Sequence, residues 1–85
     1  MTQIEFDILD ELYLIQSFNA LLDILKIEEK ELKQRLQNLL KKDWVRCYDP
    51  PTKELIFEKS AFEKDFRKYH YLATKAGLLA HNSIF

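Results

Sequence analysis

Apolar residues recur at helical spacing through the first half of this chain and give way to strand-forming residues near its middle. Ile4, Ile8, Leu12 and Ile15 fall within an arc of about 80° on a helical wheel, and Leu9, Tyr13 and Phe6 widen it to roughly 200°. Asp7, Asp10 and Glu11 fill the remainder. The spacing predicts a helix over 3–16. So wide an apolar arc suits a central helix gripped on two sides by its own domain, or a helix that also packs on a second subunit. Ser17 has the short hydroxyl that caps a helix N-terminus. A helix over 18–25 follows, with Phe18, Leu21, Leu22 and Leu25 inward. Lys26-Ile27 breaks the pattern, and a third helix is predicted over 28–42 with Leu32, Leu36, Leu39 and Leu40 on its apolar side. Glu28, Glu29 and Glu31 open this helix and Lys41 and Lys42 close it, both in the sense the helix dipole favours.

Asp43 tolerates a left-handed turn and should stop the third helix. Trp44 to Tyr48 is rich in strand formers. Asp49-Pro50-Pro51-Thr52-Lys53 cannot continue a strand, because proline fixes φ and removes a donor. Leu55 to Glu58 reads as the returning strand, so 44–58 is a predicted hairpin with a stiff loop. In the last third, Ser60 and Glu63 match a capping box and place a helix start near Ala61. Phe62, Phe66, Tyr69, Ala73, Ala76 and Ala80 then keep helical spacing, which favours a mainly helical segment over 60–82. The competing reading makes Tyr69-His70-Tyr71-Leu72 a strand, with Thr74 capping a separate short helix. The aromatics Phe62, Phe66, Tyr69 and Tyr71 suit the lid of a core, or else a dimer seam. Ile84-Phe85 is an apolar end suited to docking on the domain or on a partner.

Composition narrows the class. At 85 residues, with 47% hydrophobic and 32% charged side chains, the chain has room for one domain with a modest core. One Gly and two Pro argue against a disordered linker. No apolar run matches a membrane span, and the charged start lacks a signal-peptide layout, so a cytoplasmic location is expected. The net charge of −1 excludes a generally basic nucleic-acid binder, yet the charge is unevenly spread. Residues 1–25 carry five acids and no Lys or Arg, whereas residues 26–53 carry eight bases and five acids. Cys47 is the only cysteine, so no internal disulfide is possible. His70 and His81 have no zinc-ligand spacing, no Gly-rich phosphate loop exists, and no catalytic triad order stands out. No cofactor, no metal and no catalysis are expected.

Three helices, a tight turn between the second and third, and a hairpin give a recognisable order. Leu25-Lys26-Ile27 occupies the turn, Leu32, Leu36 and Leu39 the buried face of the third helix, and Lys42-Asp43-Trp44-Val45 the exit into the hairpin. With the tail Tyr71-Leu72-Ala73-Thr74-Lys75-Ala76-Gly77-Leu78, about two-thirds of the chain resembles the winged helix-turn-helix transcription regulators, in particular the multiple-antibiotic-resistance regulator type. The resemblance lies in apolar spacing rather than in a chemical motif. Lys26 and Asp43 stand where that family often has Gly. The expected fold is α+β and mostly α: a single winged helix-turn-helix domain over 1–85, with a three-helix core, a β-hairpin wing and a C-terminal helical segment.

The resemblance implies that the third helix enters the major groove of double-stranded DNA. On its wheel, Lys30, Lys33, Gln34, Gln37, Asn38 and Lys41 share one stripe opposite the leucines. Lysine suits phosphate or guanine, and Gln or Asn suits adenine. Arg46 and Lys53 on the wing would touch the flanking backbone. Glu28, Glu29 and Glu31 lie on the stripe's flanks, where they oppose a polyanion. The expectation is a DNA-binding transcriptional regulator, acting as a homodimer because one weakly basic module has little affinity. The alternative is a winged-helix protein–protein interaction module.

Overall fold

A computed structural model describes residues 1–83; the apolar pair Ile84-Phe85 lies outside the described residues. Helix α1 (Gln3–Glu11) opens on a capping box. The Thr2 hydroxyl accepts from the Glu5 amide at 3.2 Å, and the Glu5 carboxylate accepts from the Thr2 amide at 3.2 Å. Glu5 is thus hydrogen-bonded although buried. The helix ends earlier than its apolar spacing predicts, and Leu12 to Ile15 form a turn into β1 (Gln16–Ser17). Ile8, Leu9 and Leu12 are buried, and α1 packs against the second, third and last helices. The chain itself therefore covers most of the wide apolar arc.

Helix α2 (Phe18–Leu25) starts at Ser17, whose hydroxyl accepts from the Ala20 amide at 3.1 Å. Lys26 ends it in the left-handed region at φ 53°. Helix α3 (Glu29–Lys41) follows, with Leu32, Leu36, Leu39 and Leu40 buried. Asp43 is left-handed at φ 60°, its amide bonds the Leu40 carbonyl, and the Trp44 amide bonds the Leu39 carbonyl. This pair of bonds satisfies carbonyls that the helix end leaves open.

Strands β2 (Val45–Tyr48) and β3 (Glu54–Leu55) form the hairpin, closed by a loop in which the Asp49 amide bonds the Lys53 carbonyl. The returning strand is shorter than predicted, and Ile56 and Phe57 leave the ladder. The mainly helical reading of 60–82 is corrected: the segment divides into α4 (Lys59–Asp65), β4 (His70–Ala73) and α5 (Lys75–Asn82). The start of α4 is corrected too. Glu58, not Ser60, is its N-cap, accepting from the Ser60 and Ala61 amides at 3.1 and 2.7 Å. These amides hold the Glu58 carboxyl below the usual glutamate range, Ala61 contributing most.

The strands make one antiparallel sheet in the order β1–β4–β2–β3. Strand β4 is central, pairing with Gln16–Ser17 on one side and with all of Val45–Tyr48 on the other. Val45, Cys47, Tyr71 and Ala73 alternate into the core, and the buried Tyr71 hydroxyl donates to the Phe66 carbonyl at 2.7 Å. Phe62, Phe66, Tyr69 and Tyr71 are all core residues, with Phe66 edge-on to Phe18. The fold is α+β and mostly helical. The connection from β2 to β4 is an excursion that carries β3 and α4.

Candidate functional site

The excursion decides which face of α3 remains open. Glu63 of α4 pairs with Lys33 at 2.6 Å, and Arg67 in the following turn grips Glu29 through two bonds of 2.7 and 2.6 Å. The Arg67 guanidinium beside Glu29 holds that carboxyl below the usual range. Lys33 and Arg67 also lie over the Phe66 ring, 4.9 and 4.6 Å from its centroid. At 100° per residue, Glu29, Lys33, Gln37 and Leu40 follow one another along a single flank of α3. Burial deepens along that flank, from the exposed Glu29 through the half-buried Lys33 to the buried Gln37 and Leu40.

This placement divides the stripe expected from the sequence. Gln37 is only 8% exposed and does not belong to an open surface. Lys33 is half-buried and already paired. Lys30, Gln34 and Lys41 are exposed, and Asn38 is half-buried beside Gln34, whose amide donates to it at 3.5 Å. Within the arc from Lys30 to Asn38 there is no acid. Glu31, at the border of the arc, is paired with Arg35 at 3.0 Å.

The two wing residues differ. Lys53 is exposed in the hairpin loop, its amide bonded to the Pro50 carbonyl at 2.8 Å. Arg46 is exposed but engaged: Asp43 binds it at 3.2 and 3.3 Å, and Glu54 at 2.9 Å. These bonds raise its pKa further, Asp43 foremost, so it stays charged while both carboxylates offset that charge. Among the described residues Lys30, Lys41 and Lys53 make no ion pair.

Sequence reasoning left out two basic residues that border this face. Lys42 is exposed and lies 4.8 Å from the centroid of the Trp44 ring, a neighbour two positions along that the sequence does show. Arg67 is placed there by the fold alone, because its partner Glu29 is 38 residues away.

Among the described residues little else invites chemistry. Cys47 is buried, and burial pushes its thiol pKa up, which keeps it protonated and unreactive. His81 is stacked on Phe6 at 4.2 Å between centroids, inside the contact between α1 and α5. Among the described residues no three or more His, Cys, Asp or Glu are arranged to hold a metal ion, and no helix is long and apolar enough to cross a membrane. The chain matches no protein-family model, and neither a curated protein nor a solved structure is significantly similar to it.

Proposed function

We propose that the chain is a winged-helix DNA-binding protein, a transcriptional regulator that acts as a homodimer and inserts α3 into the major groove. The observation that carries this reading is the acid-free, outward stripe of α3, in which Lys30 and Lys41 make no ion pair among the described residues and bracket Gln34 and Asn38. Such a stripe combines cations for phosphate or guanine with amides able to bond adenine on two atoms. Support for the architecture comes from the order of elements: α2, a short turn through the left-handed Lys26, α3, then the hairpin. Lys53 at the hairpin loop is the wing's contact to the flanking backbone. Arg46 has a lesser role, since Asp43 and Glu54 already hold it.

The second reading, a winged-helix module that binds protein instead of DNA, draws on Tyr13, Leu14 and Ile15. These three consecutive apolar residues are exposed, Leu14 to 72%. Fluorescence anisotropy with a mixed-sequence duplex over a salt series separates the two. DNA binding requires an affinity that falls steeply as salt rises, and the double change Lys30→Glu/Lys41→Glu should nearly abolish it. No detectable binding at low salt would overturn the DNA reading.

A further inference from the structure

We infer that α4 and the turn after it form a second contact surface for duplex DNA, one that takes the phosphate backbone along the rim of the groove occupied by α3. This inference rests on the DNA reading of α3 and deepens it. The segment 59–68 carries Lys59, Lys64, Arg67 and Lys68, all exposed, against Glu63 and Asp65. Glu63 is neutralised by Lys33 of α3, and Arg67 in turn neutralises Glu29. Each cross-pair therefore offsets an acid that would repel a polyanion. Lys59 and Lys64 make no ion pair among the described residues, and Lys68 lies as far as 3.9 Å from Asp65.

Placement makes this charge relevant. Lys30 from the open stripe shares one shallow depression with Lys33, Glu29, Glu63, Phe66 and Arg67, so the segment around α4 reaches the edge of that stripe. Phe62 and Phe66 turn one side of α4 into the core. On the α4 wheel Lys64 falls roughly opposite them, on the side away from the core. The Lys33–Glu63 and Glu29–Arg67 pairs tie this segment to the flank of α3 through long side chains, so it lies on the order of 10 Å or more from the α3 axis, beyond the spacing of directly packed helices. The major groove is about 12 Å wide. With α3 in the groove, a flanking segment at that distance falls on the phosphate ridge rather than over base edges. Lysines on exposed backbone suit that position, because they contact phosphate without reading sequence.

The test compares the full chain with Lys64→Gln/Lys68→Gln and with Lys30→Gln/Lys41→Gln, using anisotropy on two duplexes of different sequence. Both lysines of the first pair are exposed, so circular dichroism should show an unchanged fold. The expected result is an affinity lower on the order of tenfold on both duplexes alike, with a salt slope reduced by about 0.9 for each phosphate that is no longer neutralised. Restoring charge with Lys64→Arg/Lys68→Arg should restore both. If Lys64→Gln/Lys68→Gln binds as the parent does while Lys30→Gln/Lys41→Gln loses affinity, the inference is overturned and the DNA reading of α3 stands. If the parent chain binds neither duplex at low salt, both are overturned.

Discussion

Gly77 sits where α5 meets the exit of α3, and no side chain fits there. A Cβ at this position would lie 2.1 Å from the Trp44 carbonyl oxygen and 2.9 Å from its carbon, both backbone atoms. The close approach is held by Thr74, whose amide bonds the same Trp44 carbonyl at 2.9 Å and whose hydroxyl donates to the Asp43 carbonyl at 2.7 Å. That hydroxyl also accepts from the Gly77 amide at 3.0 Å. Replacing a helical Gly with Ala ordinarily stabilises by about 1 kcal/mol. Here the sign should invert, with Gly77→Ala costing about 1–3 kcal/mol or more through overpacking. Urea unfolding measures it, and a variant as stable as the parent would contradict the close approach. The sequence does not show the close approach at Gly77, because its neighbour Trp44 is far away along the chain. Asp43 and Lys26 were legible, since a residue that must turn the chain after a leucine-patterned helix is a local matter. Gln37 was not. Its periodicity places it beside Lys30 and Lys41, and its burial follows from the packing of the folded chain, which that periodicity does not record.

The largest gap between pattern and fold concerns α4, β4 and α5. Phe62, Phe66, Tyr69, Ala73, Ala76 and Ala80 keep helical spacing, yet the helix stops after Asp65. Tyr69 to Leu72 favours extended backbone, and β4 gains partners on both sides by entering between β1 and β2. Pairing across a sheet decides such a segment, and no local spacing records it. The Ser60 and Glu63 pattern also misplaced the cap, since Glu58 has the reach to accept from two amides and Glu63 is drawn away to Lys33. That cap carries a pH signature. The Glu58 carboxyl is held below the usual glutamate range in the folded chain and returns to it on unfolding. Its contribution is therefore present above the unfolded value and is lost as pH falls through the folded one. Parent and Glu58→Gln should differ in thermal stability at neutral pH and converge in acid. A gap that widened toward acid would refute this cap.

At the scale of the whole molecule, the charge is arranged rather than large. The stretch 1–25 is acidic and α3 carries four bases against two acids, whereas the hairpin and α4 are close to balanced, so different parts of one small body carry different signs. A single copy offers few unpaired lysines to DNA, and two half-sites joined in one particle would multiply their effect. The proposed homodimer therefore needs a surface away from the α3 stripe. Most of the predicted apolar arc no longer supplies it, because α2, α3 and α5 cover α1. Tyr13, Leu14 and Ile15 remain exposed just before β1, which is an edge strand of the sheet. This turn is held in place: the Tyr13 hydroxyl donates to Asn82 at 3.2 Å and lies 3.2 Å from His81 Nδ1. A fixed apolar turn at a sheet edge can meet its own copy across a two-fold axis, as an isologous contact requires. Sedimentation at micromolar concentration should then give about twice the chain mass of 10.2 kDa. Leu14→Glu should reduce that to one chain mass while leaving the fold intact, because Leu14 is not part of the core. A clean single-chain mass for the parent would remove the homodimer. Measuring both proteins on the same duplex then carries the consequence to function: if paired half-sites supply most of the affinity, the Leu14→Glu monomer must bind far more weakly than the parent although every lysine of α3 is intact.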